Sequence, residues 1–104
     1  MLLDKIGDTI KIGNMEYCVG MRICATEASE YSGLYGYISE IRDGEDKDTE
    51  NETVDIICGF FPPADEPKIK AYEEIFSDLY GEKKTIDEIV LDNVVMSPEM
   101  ICPI

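Results

Sequence analysis

The chain contains no histidine and no tryptophan among its 104 residues. The first absence removes Ser-His and Cys-His nucleophile pairs and the histidine ligands of common zinc sites. Four cysteines occur, Cys18, Cys24, Cys58 and Cys102, without a C-x-x-C pair among them, so the familiar zinc and dithiol spacings are missing too. No Walker loop or G-x-G-x-x-G run cradles a phosphate. An enzyme would have to rely on paired carboxylates. With 23 acidic side chains some pair is always close, so that signal says nothing. The expectation is a protein without catalytic activity and without a cofactor.

Positive charge is also scarce. Nine basic against 23 acidic side chains give a formal charge of −14, which repels a phosphate backbone or an anionic membrane surface. Direct nucleic-acid and membrane partners are therefore not expected, whereas a basic protein partner is. Long apolar runs are absent as well. Met1-Leu2-Leu3-Asp4-Lys5 lacks a signal-peptide core, and no later segment approaches the roughly 18 to 20 apolar residues of a membrane span. A cytoplasmic location is expected, with the four cysteines reduced and packed in the core.

What remains is 44% hydrophobic residues, enough for a single domain over 1–104. Thr9 to Ile12 and Met15 to Val19 flank Gly13-Asn14, a pair suited to the positive φ angles of a tight hairpin. Further strands are expected over 21–26, over 33–41 and over 54–61, the last stopped by Pro62-Pro63. One helix is predicted, entered at Pro67 behind Asp65 and Glu66 and capped by Gly81. Its Ile69, Tyr72, Phe76, Leu79 and Tyr80 fall on one face. Thr85-Ile86-Asp87-Glu88 has the form of a capping box before a short turn, and 89–96 is the last strand candidate. The fold class is mainly β with one helix, an SH3-like small barrel or a strongly bent antiparallel sheet with a helical insertion.

From Gly20 to Phe60 the chain resembles KOW and SH3-like barrel modules, through Gly20-Met21-Arg22-Ile23, then Gly33-x-x-Gly36-x-Ile38-x-x-Ile41, then the apolar strand after Val54. It also looks like small proteins of Gram-positive gut bacteria and their mobile elements. The KOW resemblance implies binding of RNA or protein through loops and barrel faces.

The segment 43–55 carries seven acidic residues and one lysine. Asp43, Glu45, Asp46, Asp48, Glu50 and Glu52 are the candidate partner-binding carboxylates, since a row of carboxylates can imitate the phosphates of a nucleic-acid strand before a basic protein. Asp65, Glu66, Glu73 and Glu74 around the helix are further contributors. A calcium- or metal-responsive loop over 43–52 is the alternative. In EF-hand register from Asp46, however, Asn51 stands where glycine is required and Ile57 where the bidentate glutamate belongs. A third reading makes Tyr35 and Tyr37 an aromatic groove for a peptide.

Overall fold

The computed structural model describes residues 1–47, 49–50 and 54–104. Strands β1 (Leu2–Leu3), β2 (Thr9–Ile12), β3 (Met15–Cys18), β4 (Arg22–Ala25) and β5 (Tyr35–Arg42) come first. They are followed by β6 (Asp55–Phe60), the helix α1 (Glu66–Tyr80), β7 (Val94–Met96) and β8 (Ile101–Pro103). All pairings are antiparallel. One sheet runs in the order β7-β6-β5-β4-β8, with β1 beside the far end of β5, and β2 and β3 form a separate hairpin. Among the described residues the path stays open, with no pairing between β7 and β8. The expected mainly β fold with one helix is present, and its sheet is open at both edges.

The hairpin turns as its sequence predicts, with Ile12 opposite Met15. Gly13 alone takes a positive φ, 60°. That is the pattern of a type II′ turn, which needs glycine first and leaves Asn14 ordinary.

β5 organises the sheet. Its pairing with β6 slips by one residue between Ile38 and Glu40. The extra residue, Ser39, donates its hydroxyl to the Ile57 carbonyl at 3.0 Å. Such a bulge bends the strand, so one edge of β5 serves β4 through Tyr35–Tyr37 and then β1 through Ile41 and Arg42. The bulge also keeps Gly36, Ile38 and Ile41 on the buried side despite the odd spacing.

The core lies between the inner sheet face and a cover made of α1 and the hairpin. Ile23, Ile38, Ile41, Ile56, Cys58 and Phe60 meet Tyr17 and Val19 from one cover and Tyr72 and Phe76 from the other. Tyr31 sits at its centre, stacked on Phe60 at 5.2 Å and tilted against Phe76 at 5.0 Å, with its hydroxyl donating to the Val90 carbonyl at 2.7 Å. α1 ends at Gly81, φ 71°, and Thr85 and Glu88 form the expected capping box.

Several expectations are corrected. Leu79 and Tyr80 are 58% and 52% exposed, because only the middle of α1 lies on the sheet; Tyr80 packs outside Phe76 with Lys84 above its ring. The strand expected over 89–96 shrinks to Val94–Met96 after a turn in which Asn93 adopts φ 56°. Cys58 is buried, Cys18 and Cys24 are half-buried and Cys102 is exposed.

Burial, with smaller contributions from Tyr80 and Glu30, pushes the Tyr31 phenol up to about 12. Its neutral form is thus favoured in the folded chain, and the stability this lends is complete below the ordinary tyrosine value of 10.0 and is lost as pH rises towards 12. Stability measured by urea unfolding is expected to fall across that window, and less steeply in Tyr31→Phe.

Candidate functional site

The outer face of the sheet carries the side chains that alternate with the core. Register sets them in rows. Cys102, Cys24, Tyr35 and Phe61 lie side by side across β8, β4, β5 and the end of β6, the last pair joined by Phe61 N–H donating to the Tyr35 carbonyl at 2.9 Å. The next row sets Arg22, Tyr37 and Gly59 together. Glu40 stands opposite Ile57, and Arg42 opposite Asp55.

Tyr35, Tyr37 and Phe61 are 58%, 37% and 52% exposed, and the Tyr37 and Phe61 rings meet at 6.0 Å. Gly59 provides the floor: a Cβ there would come within 2.8 Å of the Tyr37 hydroxyl, so glycine lets the ring lie flat against the sheet. A shallow cleft of about 230 Å³ extends from Tyr35 and Phe61 past Pro62 and Pro63 to Asp65 and Lys68. Phe61 is a site residue that the sequence reading missed. The signal was available, since of two adjacent strand residues one must face out.

The acidic segment begins where β5 ends. Asp43 accepts from Gly44 N–H at 2.8 Å and caps a 3₁₀ turn over Gly44–Asp46, on which Glu45 and Asp46 are exposed. The Met1 ammonium lies 2.7 Å from the Asp46 carboxylate. Further along, the fully buried Asp55 accepts from the Thr49 N–H at 3.0 Å and from the Thr49 hydroxyl. Asp55 points to the same side as Ile57 and Gly59, so this anchor brings the segment at Thr49 onto the outer face, and Glu50 beside it is exposed. Asp48 and Glu52 lie outside the described residues. Arg42 is held by Glu40 through contacts of 2.9 and 2.8 Å.

The outer face therefore carries Tyr35 and Tyr37 towards one end and, towards the other, the Thr49–Asp55 contact with the exposed Glu50 beside it. From Gly59 to Asp55 is four residues of β6, about 13 Å at 3.3 Å per residue. Of the carboxylates around the helix, Asp65 borders the cleft beside Tyr35 and Phe61, while Glu73 is engaged elsewhere. α1 covers the opposite face of the sheet, and Glu73 accepts from the Ile86 N–H at 2.8 Å. Among the described residues no group of three or more Cys, Asp or Glu side chains is placed to hold a metal ion, and no helix is long and apolar enough to cross a membrane. No protein-family model, curated protein or solved structure matches the chain.

Proposed function

We propose that the protein is a non-catalytic cytoplasmic binding module whose outer sheet face engages an arginine- or lysine-rich segment of a basic protein. Such a partner would include nucleic-acid-binding proteins, with the acidic end acting as a nucleic-acid mimic or an adaptor. The observation that supports this reading is the Thr49–Asp55 anchor, which holds Thr49 and the neighbouring exposed Glu50 by the sheet face that also presents Tyr35 and Tyr37. Exposed tyrosine and phenylalanine rings attract guanidinium groups through their faces and supply apolar area. Carboxylates at the other end give charge complementarity and speed encounter. Contiguous exposed aromatic surface of this kind marks interaction sites more often than chance. Kinship with SH3-like and KOW modules belongs to the same proposal: β5, bent at Ser39 so that one edge serves β4 and then β1, is the kind of strand with which a small barrel turns its corner.

Calorimetric titration with a short arginine-rich peptide at low and high salt tests it. Binding is expected to weaken as salt screens the exposed charges. Neutralising the acidic turn with Asp43→Asn, Glu45→Gln and Asp46→Asn together is expected to weaken it about tenfold, as three exposed pairs of about 0.5 kcal/mol each require. Tyr37→Ala is expected to weaken it about 30-fold, a loss of about 2 kcal/mol. Glu66→Gln with Glu74→Gln on the helix should change it little. Salt-independent binding, or equal losses from the helix and turn variants, overturns the proposal.

A further inference from the structure

We propose that Cys24 and Cys102 form a redox-modifiable pair that closes reversibly to a cross-strand disulfide joining β4 to β8. The two are direct partners in the β4–β8 register, and both project from the outer face, Cys24 half-buried and Cys102 exposed. The phase of the ladder is fixed by Thr26 N–H donating to the Met100 carbonyl at 2.8 Å and Ile104 N–H donating to the Arg22 carbonyl at 3.2 Å. Alternation then makes Cys24 and Cys102 a hydrogen-bonded pair, whose Cα atoms stand about 5.5 Å apart, within the range a disulfide spans. Their Cβ atoms, at about 5 Å, are farther apart than the roughly 3.5 to 4.5 Å a relaxed disulfide prefers. Closure must pinch the two strands together, and strained, exposed disulfides are the readily reduced ones.

Each thiol now leans along its own strand, Cys24 Sγ donating to the Ala25 carbonyl and Cys102 Sγ to the Pro103 carbonyl, both at 3.6 Å. Bringing the sulfurs together takes side-chain rotation at the sheet surface, which is fast. The other two cysteines are differently placed. Cys58 is enclosed in the core, where burial pushes its thiol up to about 12 and so withholds the thiolate that exchange requires. Cys18 stands opposite Thr9 in the hairpin.

The oxidant is a low-molecular-weight disulfide. The exposed Cys102, as thiolate, attacks one of its sulfurs, forming a mixed disulfide and expelling one small thiolate, which takes up the proton Cys102 gave up. Cys24, as thiolate, then attacks Cys102 Sγ, and the second small thiol leaves with the Cys24 proton. Two protein thiols are oxidised and one small disulfide is reduced to two thiols. The pairing of Cys24 with Cys102 in the ladder holds whatever the outer face binds.

Incubating the full chain with oxidised glutathione, then alkylating it under denaturing conditions, provides the test. Loss of two hydrogens from the intact mass is expected, with two of the four cysteines protected and a peptide map joining Cys24 to Cys102. Cys24→Ser is expected to stop at a glutathione adduct on Cys102, and reduced glutathione should reopen the wild-type bond without unfolding the protein. Four alkylated cysteines, a bond that uses Cys18, or covalent dimers would overturn the pair. A bond that only denaturation makes reducible would overturn its reversibility.

Discussion

Gly36→Ala is expected to abolish cooperative folding, or to cost about 4 kcal/mol or more, at the upper end of single-substitution effects. A Cβ at position 36 overlaps the Gly59 carbonyl oxygen and comes within 2.9 Å of a Phe60 ring carbon and 3.0 Å of its Cα. Two of these three obstacles are backbone, so relief means parting β5 from β6 at the centre of the sheet. Gly59→Ala is the informative contrast. Its Cβ meets the far end of the Tyr37 side chain, which can swing into solvent, so a loss below about 1.5 kcal/mol is expected. Urea unfolding of the two variants distinguishes them, and equal losses would mean that the packing described for β5 and β6 is wrong.

Phe76→Ala is expected to destabilise the chain by about 3 to 5 kcal/mol. Phe76 is fully buried against Tyr31 and is the largest of the fully enclosed side chains. Its removal leaves a ring-sized void between helix and sheet and takes away the tilted contact that holds Tyr31 against Phe60. Domains of this size have total stabilities of about 5 to 15 kcal/mol, so much of the folded population is at stake. Leu79→Ala, three residues on, is expected to change stability by less than about 0.5 kcal/mol because that side chain is largely in solvent. Chemical denaturation of both, read by circular dichroism, checks the contrast.

That contrast shows where the sequence stops being legible. Leu79 and Phe76 share a helical face, and periodicity cannot say how much of that face the sheet beneath will cover. The features with local causes were readable: Gly13 in the hairpin, Pro67 and Gly81 at the helix ends, and the Thr85–Glu88 capping box. β1 and β8 were not, since strands of two or three residues have no periodicity to detect and exist only because β5 and β4 offer them an edge. The same holds for the site. Tyr35, Tyr37 and the acidic residues stood out by type, yet the facing of the tyrosines depends on strand register and the nearness of Glu50 to their face on Thr49 reaching Asp55. Phe61 and the Cys24–Cys102 pair enter only through register. Separation in sequence, 78 positions between the two cysteines, hides such neighbours from any local pattern.

The most direct measurement is a nuclear magnetic resonance titration of the isotope-labelled chain with a short arginine-rich peptide, following each backbone amide. The account predicts shifts confined to the outer face and its acidic end, at Tyr35, Tyr37, Glu40, Glu45, Asp46 and Phe61, and fading as salt is raised. Shifts centred on Glu66 and Glu74 of the helix, or none at low salt, would contradict it.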